Sequence, residues 1–242
     1  MGDTKNSPAI AILCWERTEG SIPRGLVQLE TLKGNSTNPD SYNFPVRFCR
    51  VKGANIHTIL ERPDKGVLQE MIKEARTMVS EGVRAITTSC GFNAIFQREL
   101  ANALDVPVFT SSLLQVPLVH AMLGAGKEIG VITANKAALR REHLEAVGIS
   151  ESVPLRIFGL EECPEWGKIF TEPDKELDLD IIREEVVGVA RSAVEKFPSI
   201  GAFVLECTDL PPFSQAIREE TGLPVFDFLT LVNMVHEALG IS

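Results

Sequence analysis

The chain has 242 residues, 44% of them hydrophobic and 24% charged, with a net charge of −9 and a mean hydropathy near zero. That balance belongs to a globular protein large enough to bury a substantial core, as one domain or two lobes. The acidic excess argues against a nucleic-acid partner, and the lack of an 18-residue apolar run or a hydrophobic signal core after Met1 argues against membrane insertion and export. The expected setting is the cytoplasm. Five cysteines, an odd number without CxxC spacing, fit neither a disulfide framework nor a structural zinc site, and reduced thiols are the simpler reading.

Short apolar, β-branched runs alternate with amphipathic stretches along the whole chain. Strands are expected at Ala9–Leu13, Val46–Val51, Ala85–Thr88, Val106–Thr110, Glu128–Ile132, Leu155–Phe158, Ala202–Leu205 and Val225–Asp227. Helical patterns fall at Gly66–Ser80, Asn93–Ala103, Leu113–Leu123, Lys136–Val147, Asp180–Glu195, Phe213–Glu220 and Leu229–Leu239. This alternation indicates an α/β fold built of βαβ units, and the near-continuous apolar strands indicate parallel sheets covered on both faces. Two segments break the rhythm. Cys14–Pro45 is rich in Gly, Pro, Asn, Ser and Thr around a modest helical patch, Gly25–Leu32, and Glu161–Lys175 carries Cys163-Pro164 and Trp166-Gly167. Loops of that length serve either as lids and binding loops or as surface excursions.

One pattern occurs twice. Cys90 is followed by Pro107-Val108-Phe109 and then Val119-His120; Cys207 is followed by Pro224-Val225-Phe226 and then Val235-His236. The Cys-to-Pro offset is 17 in both copies. Each cysteine stands at the carboxyl end of an expected strand and just before a helix, where ligands bind in open α/β sheets and where the helix dipole favours a thiolate. A free cysteine is often only a small buried hydrophobe; the repeated spacing and the strand-end placement argue against that for this pair. Two half-domains facing each other would set one thiol on either side of a ligand, and two opposed acid–base groups can invert a carbon stereocentre.

The motifs Leu205-Glu206-Cys207-Thr208-Asp209-Leu210-Pro211 and Thr87-Thr88-Ser89-Cys90-Gly91-Phe92-Asn93 resemble those of the aspartate/glutamate/hydantoin racemase superfamily, the second less closely. The resemblance implies two pseudo-symmetric parallel-sheet α/β lobes with the active site in the cleft between them. It implies exchanged final helices, giving lobes of 1–111 plus 228–242 and of 112–227. It further implies a cofactor-independent racemase of an amino acid or a derivative such as a hydantoin, with no metal. The catalytic residues would be Cys90 and Cys207, with Asp209 tuning Cys207. Ser89, Gly91, Phe92, Asn93, Thr133, Asn135 and Thr208 would contact a small carboxylate-bearing substrate. Homodimers are common in the superfamily, and nothing in the sequence fixes the assembly.

Two departures stand out, Glu206 in place of the usual glycine and Gly91-Phe92 in place of the usual Asn-Thr, and they place an unmodified acidic amino acid in doubt. A maleate-type cis–trans isomerase with a nucleophilic cysteine and a catalytically inactive binding protein on the same scaffold remain alternatives. Asp209, Asn93 and Ser89 also read as helix caps. Arg17 or Arg24 is a candidate partner for a substrate carboxylate, with solvated surface charge as the competing reading. His120 and His236 lie inside helices, where packing is the expected role; Cys14, at the end of the first expected strand, either borders the cleft or, as the favoured reading, packs in the core, and Cys49 and Cys163 are read as structural or incidental.

Overall fold

A computed structural model describes residues 8–18 and 22–240. It contains two four-stranded parallel sheets, β2-β1-β3-β4 and β6-β5-β7-β8. The first comprises β1 (Ile10–Cys14), β2 (Val46–Arg50), β3 (Ala85–Thr88) and β4 (Val108–Phe109). The second comprises β5 (Glu128–Thr133), β6 (Leu155–Gly159), β7 (Ile200–Leu205) and β8 (Val225–Phe226). Central strands β1 and β3 are buried along their whole length, which is why they read as unbroken apolar runs rather than as an alternation. Edge strands β2 and β6 are only half-buried and carry arginines.

All eight expected strands form, and most helices fall where the periodicity places them: α2 (Lys65–Ser80), α3 (Gln97–Ala103), α4 (Val116–Met122), α5 (Arg141–Ala146), α7 (Leu179–Lys196), α8 (Ser214–Thr221) and α9 (Phe228–Ala238). Carboxylates cap three of them. Asp64 accepts from Gly66 and Val67 at the start of α2, Asp178 from Asp180 and Ile181 at α7, and Asp227 from Thr230 at α9, each satisfying amides that have no partner within the helix.

Three differences have local causes. The expected helix over 136–147 shortens to α5, because Glu161 takes the Lys136 amide and Asn135 takes the Ala138 amide, holding the first turn non-helical. The helix after Cys90 begins as a 3₁₀ turn, Gly91–Phe96, whose residues are nearly all buried, so packing overrides the α-helical preference for a solvated face. A π-helical turn over Ile56–Glu61 went unseen; a reciprocal cap between Asn55 and Thr58 fixes it. The two irregular segments also contain short helices, α1 (Arg24–Leu29) and α6 (Lys168–Thr171).

Packing crosses between the halves. Phe228, Leu231 and Val232 of α9 share a core with Ile10, Ile12, Ala85 and Phe109 of the first sheet. Val116 and Val119 of α4 enter the larger core with Ile129 and Val131 of β5. The starts of the two helices are tied together: Gln115 donates to the Asp227 carbonyl at 2.9 Å and accepts from Thr230 Oγ1 at 2.9 Å.

Candidate active site

β3 and β7 run parallel to their neighbours and deliver Cys90 and Cys207 at their carboxyl ends. Both thiols line a single cleft of roughly 660 Å³, its open mouth included, together with Ser89, Gly91, Phe92, Thr208 and Asp209. Of the residues the sequence singles out, these seven are brought together. Three are not. Asn135 accepts from the Ala138 amide and serves its own turn. Thr133 is fully buried and spends its hydroxyl on Glu206 Oε2, at 2.7 Å. Asn93 is buried inside the 3₁₀ turn rather than capping it.

The cysteine loops are held by contacts between the halves. Thr208 Oγ1 donates to the Ser89 carbonyl at 2.6 Å, and Ser89 N donates to Leu13 O at 2.9 Å. Thr208 O in turn accepts from Ser36 N at 3.2 Å. Beside that bond, Asn35 Nδ2 donates to Asp209 Oδ1 at 2.6 Å. Gly34 lies so close to the Pro211-Pro212 backbone, with φ at +110°, that no side chain fits there. The segment around residue 35 thus forms one wall of the Cys207 loop. Asp209 is a hydrogen-bond acceptor for two side chains and not a helix cap: its Oδ2 lies 3.6 Å from Cys207 Sγ, which donates to it.

The altered positions prove to be complementary. A Cβ on Gly91 would overlap both the backbone oxygen and Oε1 of Glu206, well inside the 3.0 Å that real Cβ atoms keep. Glu206 therefore fills the space that a side chain at 91 would take.

Burial dominates the electrostatics. It pushes both cleft thiols well above the ordinary value of 9.0; for Cys90 the next contribution is the charge of Glu206, and for Cys207 it is that of Asp209. Amides of Phe92 and Asn93 act in the opposite sense on Cys90, as the start of a helical turn does. Asp209 is raised to about 6 and Glu206 to about 8, in each case chiefly by burial. His143 is driven down to about 4 by burial and then by Arg140; neutral, it packs edge-on against Phe92.

Sequence reasoning missed much of the remaining wall. Arg50, at the end of β2, is the one cation among the described residues lining the cleft. It donates to the Trp15 carbonyl and pairs with Glu30 at 3.6 Å. Arg17 is instead turned to Glu30 at 2.6 Å, and neither Arg17 nor Arg24 lines the cleft. Trp15, Phe92, Trp166 and Phe170 supply aromatic surface, and Trp15 Nε1 is a buried donor without a partner among the described residues. His120 is exposed and His236 stacks on Phe44, both away from the cleft. All five cysteines are free.

The roof joins the two irregular segments. Gln28 of α1 donates to Leu177 O at 3.3 Å and accepts from Leu177 N at 2.6 Å. Arg24 N donates to Pro173 O at 2.7 Å. The Leu177 side chain packs so tightly on Gly25 that a Cβ there would lie 2.5 Å from its Cδ1. Trp166 and Ile169 beneath this clasp are buried.

No family model matches the chain. Among solved structures it resembles an allantoin racemase from Pseudomonas fluorescens, with a TM-score of 0.62 and 16% identity over 96% of this chain and 92% of that one. An aspartate racemase homologue from Pyrococcus horikoshii gives 0.60 and 17%, over 97% and 99% of the two chains. The fold is that of the Asp/Glu racemase superfamily. Sequence likeness is more specific. A dimethylsulfoniopropionate lyase from Durusdinium sp. clade D is 31% identical over 214 residues, covering 84% of this chain and 70% of that enzyme. The chain belongs to the dimethylsulfoniopropionate lyase family. Lyases 7 and 3 of Emiliania huxleyi are each 32% identical over 216 residues, and the chain spans 62% and 56% of their lengths.

This corrects the expectation of a racemase. A shared fold does not set the reaction, and relatives at about 30% identity in this family of enzymes are named as lyases. Among the described residues no helix is long and apolar enough to cross a membrane.

Proposed function

We propose that the cleft cleaves dimethylsulfoniopropionate, or a close sulfonium carboxylate, by β-elimination, with Cys207 as the base. The observation that carries this reading is the contact of Cys207 Sγ with Asp209 Oδ2 at 3.6 Å, in a cleft of aromatic walls and one cation. The substrate is a zwitterion, and both of its ends find complements. Arg50 and Trp15 Nε1, which has no partner among the described residues, supply donors for the carboxylate. The rings of Trp15, Phe92, Trp166 and Phe170 suit a sulfonium, whose spread positive charge is drawn to aromatic faces.

Asp209, ionised above about pH 6, accepts the Cys207 proton. The incoming sulfonium offsets the burial that holds the thiol neutral in the empty cleft. The thiolate removes a proton from the carbon next to the carboxylate. The released electron pair forms the Cα–Cβ double bond, the Cβ–S bond breaks, and its electrons leave on sulfur. The products are neutral dimethyl sulfide and acrylate, with the abstracted proton on Cys207 and the first on Asp209, from which it passes to solvent. Charge that builds on the carboxylate in this step meets Arg50. Dimethyl sulfide leaves without protonation, so one base suffices and Cys90 has no obligatory acid role.

The test supplies purified, thiol-reduced protein with dimethylsulfoniopropionate, measuring dimethyl sulfide in the headspace and acrylate by NMR. Equimolar release of both supports the proposal. Dimethyl sulfide with 3-hydroxypropionate instead of acrylate, or no turnover although the compound binds, refutes it.

A further inference from the structure

Glu206 is the buried carboxyl that the elimination leaves unused. It is fully buried, its backbone oxygen and Oε1 press on Gly91, Thr133 donates to Oε2, and Oε1 has no partner among the described residues. It immediately precedes Cys207 in the chain, so one carboxyl touches the loops of both cysteines. Groups facing it come from four places. Thr133 ends β5, the Cys90-Gly91 turn follows β3, and Cys207 and Asp209 lie on its own loop. From the turn before α4, Ser112 Oγ donates to Leu205 O and approaches Glu206 O at 3.4 Å. None of these is a cation; the titratable ones, Cys90, Cys207 and Asp209, all become negative on losing a proton.

We infer that Glu206 is a positioning residue that works as a neutral acid, bracing the two cysteine loops against each other and, on ionising, suppressing formation of either thiolate. The geometry requires the first half: a carboxylate with one oxygen unpaired, no cation near it among the described residues and burial on all sides is destabilised relative to the acid. With Oε2 accepting from Thr133, the proton sits on Oε1. The second half follows from like charge. A carboxylate touching both loops disfavours a second negative charge on either sulfur, so the groups titrate as a coupled set. Burial that places Glu206 ionisation near pH 8 puts this coupling on the alkaline side of neutrality.

The inference rests on the cysteine site of the proposed lyase, but its readouts need no turnover. Iodoacetamide labelling of Cys90 and Cys207 is followed by mass spectrometry from pH 6 to 10 in the wild type and in Glu206→Gln, a variant that keeps an acceptor for Thr133. The expected ratio of variant to wild-type labelling is near one at pH 6–7 and rises about tenfold above pH 9, since a shift of one pH unit in a thiol is a tenfold change in thiolate. A ratio that stays at one throughout overturns the inference, as does a ratio displaced equally at every pH. Infrared difference spectra supply the second reading. The carbonyl band of a protonated carboxylic acid is expected at pH 7 in the wild type, persisting to higher pH in Thr133→Val, which removes the donor that favours the ionised form. Absence of that band from the wild type at pH 7 overturns the inference even if Glu206→Gln does not fold. Lyase failure with a normal labelling ratio would count against the proposed reaction alone.

Discussion

Gly91→Ala tests the interlock of Gly91 with Glu206 directly. The added methyl would overlap the Glu206 backbone oxygen and Oε1 by about an ångström. The carboxyl end can swing aside. The carbonyl cannot, because Glu206 N is bonded to Ile132 O at 2.8 Å and its loop is tied to Ser89 through Thr208. Overpacking of that kind costs about 1–3 kcal/mol. Against it stands a smaller gain of about 0.4–1 kcal/mol from the stiffer unfolded chain, available because the backbone at Gly91 is not in the left-handed region. The net loss is about 1–2 kcal/mol, which for a chain of this size lowers the midpoint of thermal unfolding by roughly 2–8 °C.

The kinetic effect should be larger than the thermal one. Relief of the overlap moves the Cys90 turn and with it Phe92, a wall of the cleft that would hold the substrate against Cys207, and a substrate displaced by about 1 Å can cost ~100-fold in rate. Circular-dichroism melting and dimethyl sulfide release, measured on the same preparation, give both numbers. Gly188→Ala is the matched control: it lies within α7 with nothing within 4 Å of its new Cβ, so alanine there should stabilise by up to ~1 kcal/mol. If Gly91→Ala melts and turns over like the wild type, the complementarity of residues 91 and 206 is wrong.

Three further outcomes are expected. Asp209→Asn removes the acceptor for the Cys207 proton and should lower the rate by about 10²–10³; the wild-type rate should climb as pH rises through about 6, and that limb should vanish in the variant. Glu206→Gln should be more thermostable than the wild type by a margin that opens as pH rises from 4.5 to about 8 and then levels off. The folded protein holds a proton that the unfolded chain has already released in that window, so wild-type stability falls there by several kcal/mol; an equal margin at pH 5 and pH 9 would contradict this. Gln28→Ala opens the clasp over the cleft by removing both bonds to Leu177. Hydrogen exchange at residues 173–178 should accelerate and KM should rise, while a rise in exchange with unchanged kinetics would show that the roof does not govern the site.

How far the chain could be read in advance depended on the range of the forces involved. The eight strands were legible because a strand buried on both faces is an unbroken β-branched run, as in Ala9–Leu13 or Ala202–Leu205. The cysteines were legible because duplication repeats spacing. Asn35 was not, since its only signal is a bond to a residue 174 positions away. Arg50 was hidden in an edge strand, where arginine reads as solvated charge, and Trp166 in a segment that reads as loop. Gly91 and Glu206 each looked like a departure until the fold set one against the other. The reaction was the least legible of all. A strand-end cysteine marks a cleft in the sequence, whereas the proposed reaction turns on the substrate's leaving group, whose counterparts are an aromatic wall and an arginine that the fold assembles from separate segments.

The central claim is that a single base, Cys207, drives the elimination, and the most direct measurement is the initial rate of acrylate formation from dimethylsulfoniopropionate by Cys207→Ser and Cys90→Ser side by side. Loss of the base should cost about 10²–10⁴-fold, whereas Cys90→Ser should lose no more than about tenfold. Equal losses in the two variants, or a greater loss in Cys90→Ser, would contradict the account.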